Sequence, residues 1–352
     1  MLVARARNVR LVGTGLLMGL IAGTNAQSAP ADSSLKVLQT WHLDGPGGWD
    51  YLTLDSAAQR LFVSHSTRVD VIDTRSGKLI GAIPDTNGVH GIALAEDLQR
   101  GYTSNGKADT VTMFDLDTLA VIKEGPISGR NPDAILYEPM GRHVFTFNGR
   151  SKDVTVLDAA NLKVVATLPL PDKPEFAVDD GRGHIYANIE SESGQIVVID
   201  SRKLTITATW TLPGCASPTG LAMDKAHGRL FSVCDGKVMA VTDATTGKQV
   251  AKVAVGEGPD AVAYDAKHGR VFSSNGEGTL TVVHQESADH YRVIDSLQTK
   301  RGARTMALDS ASGMVYLVSA DFGPLPAAVP GLPRPRPVPI PGTFTVLVVG
   351  AP

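Results

Sequence analysis

The sequence predicts an all-β fold, a seven-bladed β-propeller built from four-stranded blades. Two kinds of landmark recur at intervals of 40 to 45 residues, and a segment near the start of the chain resembles the strand that the last repeat lacks. The chain of 352 residues is long enough to bury a sizeable core. Its formal charge of −3 lacks the basic excess that is typical of a nucleic-acid-binding surface.

The first landmark is an aromatic residue in a short apolar run. Its spacing of 40 to 45 residues is typical of propeller blades, and seven occurrences in one register predict seven blades. The aromatic residues are Phe62, Tyr102, Phe145, Tyr186, Phe231, Phe272 and Tyr316.

The second landmark is an aspartate that ends the next apolar run. A turn-like stretch and a further β-rich run follow it, so each unit holds four strands, A to D, without helical periodicity. Such a unit cannot bury both of its faces alone, and radial stacking buries them while protecting the strand edges. The aspartates are Asp73, Asp115, Asp158, Asp200 and Asp243.

Asn-Gly pairs lie between the two landmarks in three units. Asn followed by Gly supplies the positive φ that tight hairpins need, so we interpret these asparagines as turn residues. They are Asn105, Asn148 and Asn275.

The two ends of the chain predict how the propeller closes. The last unit ends after residues 343–349 and lacks a D strand, whereas residues 35–43 resemble the D strand at 162–168. We therefore predict that residues 35–43 complete the seventh blade, which removes two free strand edges. The propeller domain then spans residues 35–350.

The third unit resembles the YVTN-repeat propellers, which include the YncE-like periplasmic proteins. The resemblance is carried by Asn131-Pro-Asp-Ala-Ile-Leu-Tyr137, by the run at 141–148 that ends in Phe-Asn, and by the strands at 154–158 and 162–168. It extends over residues 35–350 and implies the propeller fold, on which many functions occur. The turn at 243–248 also resembles the tryptophan-docking motif of quinoprotein propellers, but no tryptophan follows it, which argues against a quinone cofactor.

The start of the chain reads as a secretory signal over residues 1–26, followed by a short linker over 27–34. Arg5, Arg7 and Arg10 precede an apolar run that is too short for a membrane span, although an uncleaved anchor is the alternative. Cleavage would leave 30 basic against 36 acidic residues, a charge of −6. We expect a periplasmic or secreted protein without a further membrane span.

The two cysteines fit an oxidising compartment. Cys215 and Cys234 lie 19 residues apart in one blade, and their spacing matches no zinc or redox motif. We predict a disulfide between them, with two buried free thiols as the alternative.

One equivalent position per blade is predicted to lie around the central channel. The loops that enter strand A share one face with the B–C loops, and such a face is the usual binding site of a propeller. We call these seven positions the mouth residues: Asp50, His90, Asp133, Glu175, Thr219, Asp260 and Arg304. The alternative to a ligand site is a polar rim that water and backbone satisfy.

The mouth residues include groups that suit catalysis and metal binding. His90 is the best candidate for a general base because an unperturbed imidazole titrates near neutral pH, and Arg304 suits an anionic substrate group. Converging carboxylates repel one another unless a cation or proton compensates them, so a divalent cation such as calcium is a candidate cofactor. Its candidate ligands are Asp50, Asp133, Glu175 and Asp260.

Three further features are predicted on the same face. His65, in a B–C loop, is another candidate for catalysis, and Trp49 is placed to stack on a ligand. The seventh B–C connection, residues 322–342, contains eight prolines and predicts a semi-rigid extended insertion. It would act as a lid or a partner-docking strip, or would be a solvated insertion without function.

These patterns favour a monomeric propeller that binds a small molecule or a protein through its channel face. The alternative is a lyase or lactonase-type hydrolase with a divalent metal and His90 as general base, although the sequence contains no nucleophile elbow, His-Glu-x-x-His motif, P-loop or dinucleotide fingerprint. Single-stranded DNA binding, which only the YncE-like resemblance implies, is a weaker alternative because a mature charge of −6 opposes phosphate binding.

Overall fold

The protein is described from a computed structural model, which covers Met1 and residues 35–45, 47–324 and 338–352. Most of the predicted signal, the linker at 27–34 and the central part of the proline-rich insertion lie outside these described residues. Within them, 28 strands form all the regular structure apart from a short 3-10 helix at Glu96–Leu98. No helix among the described residues has the length and apolar character needed to cross a membrane.

The described strands form seven antiparallel four-stranded sheets. In the first six, the strands follow one another in chain order from A to D. Blade 1 contains β2 (Trp49–Asp55), β3 (Arg60–His65), β4 (Arg68–Asp73) and β5 (Lys78–Ile83); blade 2 contains β6 (Val89–Ala95), β7 (Arg100–Asn105), β8 (Thr110–Asp115) and β9 (Val121–Pro126); blade 3 contains β10 (Pro132–Glu138), β11 (His143–Asn148), β12 (Asp153–Asp158) and β13 (Val164–Pro169).

The next three blades repeat this order. Blade 4 contains β14 (Lys173–Asp179), β15 (His184–Glu190), β16 (Gln195–Asp200) and β17 (Thr205–Thr211); blade 5 contains β18 (Pro218–Asp224), β19 (Arg229–Cys234), β20 (Val238–Asp243) and β21 (Gln249–Ala254); blade 6 contains β22 (Pro259–Asp265), β23 (Arg270–Asn275), β24 (Thr279–Ser287) and β25 (His290–Gln298).

Blade 7 joins the two ends of the chain. It contains β26 (Met306–Asp309), β27 (Met314–Ser319) and β28 (Thr345–Gly350), and its outermost strand is β1 (Lys36–His42). β1 pairs antiparallel with β28, with Trp41 opposite Val346. Each A strand contacts the A strands of both neighbouring blades, so they form a closed ring. The predicted seven-bladed fold and its closure by the N-terminal strand are confirmed.

The core lies between the blades. Seven hydrophobic clusters each join two neighbouring blades, and each aromatic landmark packs against the following blade. All seven landmarks are buried. Phe62 of blade 1, for example, lies 5.9 Å from Phe114 of blade 2 between ring centroids. Burying one such side chain contributes about 1.5–3 kcal/mol to the stability of the fold. The aromatic residue therefore recurs in the sequence because each blade needs it to pack against the next.

The landmark aspartates cap the turns between strands C and D. The Asp73 carboxylate accepts hydrogen bonds from the backbone amides of Arg75 (3.1 Å) and Ser76 (2.9 Å). The other four aspartates accept the same pair of amide bonds. Asx turns of this kind explain why an aspartate recurs at the end of strand C.

The interpretation of the Asn-Gly asparagines as turn residues is wrong. Each ends strand B with its side chain fully buried. The Asn105 amide donates to the hydroxyls of Thr110 (3.0 Å) and Thr112 (2.8 Å), so it clips strand B to strand C. Asn148 and Asn275 make equivalent bonds to strand C. The positive φ falls three or four residues later, at Asp109, Lys152 and Gly278.

No tryptophan follows the turn at 243–248, but one from the preceding blade lies against it. Gly247 has a φ of +72°, and a Cβ there would collide with the indole of Trp210 on β17. Gly77 has a φ of +68° in the corresponding turn of blade 1, where Trp41 on β1 lies against it. The outer D strand of one blade therefore docks on the turn of the next.

Cys215 and Cys234 form a disulfide, as the sequence predicts. Both residues are buried, and their Cα atoms lie 5.2 Å apart. Cys234 ends β19, while Cys215 lies just before β18. The bond therefore ties the segment that enters blade 5 to the B strand of the same blade.

Candidate functional site

A repeated bulge in strand A presents the mouth residues. In six blades the pairing between strands A and B shifts register just after the first residues of strand A, and a mouth residue lies in each shift. In blade 1, Asp50 and Tyr51 share the space opposite Ser64, whose hydroxyl accepts a hydrogen bond from the Asp50 amide (2.9 Å). Bulges redirect side chains and are common beside active sites. Arg304 differs, since it precedes β26.

The first three mouth residues meet one another. His90 Nδ1 lies 2.5 Å from Asp50 Oδ2 and 3.9 Å from Asp133 Oδ1. Burial alone would lower the pKa of His90, but the hydrogen bond to Asp50 and the charges of Asp133 and Asp50 raise it above its usual value. We call these three residues the Asp–His–Asp group.

Carboxyl groups in the mouth retain their protons to higher pH than free carboxyl groups do. Burial, and then the charge of Asp50, raise the pKa of Asp133 to about 6. Burial, and then the charge of Asp133, raise the pKa of Glu175 to about 8. Removing carboxylates from water and placing them together disfavours their charged form.

Two cations compensate part of this charge. Lys173 Nζ contacts both Glu175 and Glu190, the latter at 2.5 Å. Sharing one ammonium lowers the pKa of Glu190, while that of Glu175 stays raised. Arg304 Nη1 lies 3.0 Å from Asp260 Oδ2, yet burial still raises the pKa of Asp260 to about 6.

Thr219 lies in the strand-A bulge of blade 5, and its side chain bonds to the backbone. Its hydroxyl donates to the carbonyl oxygens of Pro259 (3.1 Å) and Val233 (3.3 Å). The bond to Pro259 joins blade 5 to blade 6, whereas Val233 lies in blade 5 itself, so the hydroxyl is already engaged.

Two aromatic residues lie in the channel next to the carboxylates. Tyr51 and Phe176 each follow a mouth residue, and their ring centroids lie 5.3 Å apart. They come from blades 1 and 4, which lie on opposite sides of the ring, so the contact crosses the channel. Burial, and then the charges of Asp133 and Glu175, raise the pKa of Tyr51 well above its usual value. The phenol therefore stays protonated and remains a hydrogen-bond donor.

His65 and Trp49 do not join the Asp–His–Asp group. The His65 ring is fully buried, with Nδ1 2.7 Å from Asp70 Oδ2 and its centroid 4.7 Å from that of Phe344. Trp49 packs against Phe344 (5.2 Å between centroids) and Phe322 (6.0 Å). His65 ends strand B inside the blade, which is why it does not reach the channel beside His90.

The donor set for a metal differs from the one that the sequence suggests. Among the described residues, one group of three has its donor atoms within 4.8 Å of one another, and it is Asp50, His90 and Asp133. Glu175 and Asp260, two of the predicted ligands, are instead ion-paired with Lys173 and Arg304.

Sequence reasoning missed Tyr51, Phe176, Lys173 and Glu190. Tyr51 and Phe176 were detectable in principle, since each directly follows a mouth residue within strand A. Lys173 lies opposite Glu190 in the first pair of β14 and β15, and that pairing depends on the register of the two strands.

Comparison with known proteins supports a distant relationship to one group. The chain is 21% identical over 211 residues to the uncharacterized protein YncE of Salmonella typhi and of Salmonella typhimurium strain LT2. The match covers 58% of this chain and 59% of each relative, so it spans less than two thirds of their length. No protein-family model matches the chain.

Solved structures share the fold at low sequence identity. A chain of Kuenenia stuttgartiensis hydrazine synthase has a TM-score of 0.68 and 16% identity, covering 78% of this chain and 94% of its own. A chain of the mitotic checkpoint complex has a TM-score of 0.70 and 14% identity, covering 87% and 96%. U3-55K has a TM-score of 0.71 and 10% identity, covering 91% and 99%. These similarities concern the fold alone.

Proposed function

We propose, on the premise that the chain is a YncE-like seven-bladed β-propeller, that it is a binding protein whose channel mouth takes up a divalent metal ion through Asp50, His90 and Asp133. The observation that carries the proposal is the convergence of these three donor atoms, from three successive blades, to within 4.8 Å of one another. The closed ring of A strands holds the three residues on a rigid scaffold, so the metal ligands are already close together before the ion binds.

The charge balance of the mouth supports a cationic ligand. Its permanent cations are Lys173 and Arg304, and protonated His90 would add a third. Five carboxyl groups face them, and the mouth carries excess negative charge near neutral pH even though Glu175 keeps its proton there. They are Asp50, Asp133, Glu175, Glu190 and Asp260. Burial and then repulsion by Asp50 raise the pKa of Asp133, and a divalent cation would relieve this repulsion. The same charge would repel phosphate groups, so single-stranded DNA binding at the mouth is not proposed.

The donor set favours a different metal from the calcium that the sequence suggests. Calcium takes six to eight oxygen ligands, whereas an imidazole nitrogen with two carboxylates suits zinc or another divalent transition metal. We therefore expect Zn²⁺ or Mn²⁺ to bind more tightly than Ca²⁺.

Calorimetric titration of the chelator-treated protein with Zn²⁺, Mn²⁺ and Ca²⁺ tests the proposal. We expect one transition-metal ion per chain, and at least tenfold weaker binding in His90→Gln and in Asp133→Asn, because each change removes a donor (~1.4 kcal/mol or more). The matched control is His268→Gln, which breaks a similar His–Asp pair (2.6 Å to Asp265) in an A–B turn. Absence of binding in the wild type, or equal binding in His90→Gln, would refute the proposal.

A second candidate function is a lyase or lactonase-type hydrolase. One observation favours it: Asp50 engages Nδ1 of His90, an arrangement that orients an imidazole and leaves Nε2 as the base. Turnover of a panel of small lactones by the wild-type protein, and its loss in His90→Gln, would support this function. A wild type no faster than His90→Gln on the whole panel would count against it.

The protein is also proposed to act outside the cytoplasm. The disulfide and the YncE-like relationship support this location, since disulfides persist in oxidising compartments. Expression of the full chain in a bacterium and intact mass measurement without reductant give the test. We expect a periplasmic product that begins at Gln27 and carries one disulfide. A cytosolic, uncleaved product with two alkylatable thiols would refute it.

A further inference from the structure

A cavity of about 480 Å³ lies beside the mouth, where blades 6, 7 and 1 meet. This volume is within the usual range of small-molecule sites. Its lining combines two aromatic side chains, Trp49 and Phe322, with two cationic ones, Arg301 and Arg304. Gly302 and Pro339 also line it. Apart from Arg304, none of these residues takes part in the Asp–His–Asp group or its neighbouring ion pairs.

The aromatic wall of the cavity is held in place by several contacts. Phe322 is fixed by a β-bridge to Pro339, and the Ile340 amide donates to the Asp321 carbonyl oxygen (2.7 Å). Lys300 Nζ lies 3.0 Å from the carboxylate of Asp321, which anchors the same segment.

Gly302 lies in the turn before blade 7, and its lack of a side chain lets the aromatic wall pack against this turn. It has a φ of +79°, and a Cβ at this position would lie 2.7 Å from the Phe322 ring. The Phe322 ring therefore packs directly on backbone, and with Trp49 it presents a preformed apolar surface to the cavity.

The cationic wall of the cavity has unused hydrogen-bonding capacity. Arg304 contacts Asp260 through Nη1, and its side chain remains 43% exposed. The exposed guanidinium of Arg301 has no carboxylate within 4 Å among the described residues. The cavity therefore carries positive charge, in contrast to the neighbouring mouth.

We propose that this cavity binds a planar organic anion, an aromatic or heteroaromatic carboxylate. Guanidinium groups match the geometry of a carboxylate, so Arg301 and the remaining N–H groups of Arg304 would hold the charged end. Trp49 and Phe322 would pack against the planar group. The proposal is independent of metal binding in the mouth.

The proposal is tested by calorimetric titration with naphthoate. The protein used is the one obtained by expressing the full chain. Naphthamide is the matched probe without charge, and cyclohexanecarboxylate is the matched probe without an aromatic ring. We expect naphthoate to bind more tightly than either. Arg301→Gln should weaken naphthoate binding about tenfold, since a charge-assisted hydrogen bond is lost, and Trp49→Leu should remove the advantage of naphthoate over cyclohexanecarboxylate.

Two control variants separate this site from others. Arg150→Gln changes an exposed arginine in the B–C loop of blade 3 and should leave naphthoate binding unchanged. His90→Gln removes a proposed metal ligand and should also leave it unchanged. Equal binding of naphthoate and naphthamide, wild-type affinity in both Arg301→Gln and Trp49→Leu, or no naphthoate binding by the wild type would overturn the proposal. Loss of binding in His90→Gln alone would place the anion in the mouth and would overturn it equally.

Discussion

At the scale of single residues, the position of His90 depends on the absence of a side chain at Gly106. A Cβ at position 106 would lie 2.5 Å from both Cδ2 and Nε2 of the imidazole. The backbone of Gly106 is not in the left-handed region, so the close approach of His90, rather than chain conformation, requires glycine here.

A substitution at Gly106 tests the importance of this close approach without removing a metal donor. Gly106→Ala should displace the imidazole and lower the affinity for a divalent transition metal about tenfold or more, as changes to supporting contacts of metal ligands do. The measurement is the same calorimetric titration. Gly149→Ala is the matched control, because it lies at the equivalent position of blade 3 with its nearest neighbours at 3.4 Å. Similar affinities for the two variants would contradict the prediction.

Glu175 should make the stability of the metal-free protein depend on pH. Burial and the charge of Asp133 raise its pKa to about 8, so the folded state holds this proton more tightly than the unfolded state does. Its contribution to stability is therefore complete below its unfolded pKa of about 4 and is lost as the pH rises through about 8.

Melting temperatures measured in the presence of a chelator, from mildly acidic to mildly alkaline pH, test this dependence. We expect the melting temperature of Glu175→Gln to change less with rising pH than that of the wild type. Asp172→Asn is the control, because the pKa of Asp172 is lowered by Lys152 and its titration lies at more acidic pH. Parallel curves for Glu175→Gln and the wild type would show that Glu175 is not the group responsible.

At the scale of elements, the outer strands stabilise the fold by docking onto the neighbouring blade. Trp41 on β1 covers Gly77 in the C–D turn of blade 1, and Trp210 on β17 covers Gly247 in the same way in blade 5. These contacts explain why two D strands carry tryptophan while much of the outer strand surface is exposed.

Replacing Gly77 by alanine should lower the free energy of unfolding by more than the backbone strain of alanine in the left-handed region alone. Alanine in the left-handed region costs about 1–2 kcal/mol, and Gly77→Ala should add the loss of the Trp41 contact. Gly228→Ala is the matched control, because Gly228 has a φ of +61° with no atom within 4 Å of its Cβ position. Urea denaturation should show the larger loss of unfolding free energy for Gly77→Ala, and equal losses would disprove the docking contribution.

At the scale of the whole molecule, the ring depends on a strand from the far end of the chain. β1 covers the free edge of β28, and Trp41 and Leu43 enter the core between blades 7 and 1. A variant that begins at Asp44 should therefore melt at a lower temperature and should associate through the exposed edge.

The control for this truncation begins at Gln27, so that it keeps β1 and lacks only the predicted signal. Its melting temperature should match that of the protein obtained by expressing the full chain. Thermal melting and size-exclusion chromatography compare the two truncations. A variant beginning at Asp44 that melts with the control and stays the same size would show that closure does not need β1.

Much of the fold could be predicted from local periodicity. Phe62 and its six equivalents recur because every blade must fill the same space against the next one, and Asp73 and its equivalents recur because every C–D turn needs a cap. Residues 35–43 were recognisable as a D strand because they repeat the pattern of 162–168. The positions of the mouth residues followed from the same register, since equivalent positions in a closed ring share one face.

The contacts of those residues required the three-dimensional structure. Whether Asp133 faces His90 or another group depends on the bulge that redirects each side chain and on distances between blades that no local pattern encodes. Lys173 and Arg304 pair with Glu175 and Asp260, which removes these two from the expected metal site. Phe322, the first residue of the proline-rich insertion, packs against Trp49. Repetition along the chain specifies which positions are equivalent, whereas the chemistry of the mouth arises from the differences between blades, and these act on one another only after the ring has closed.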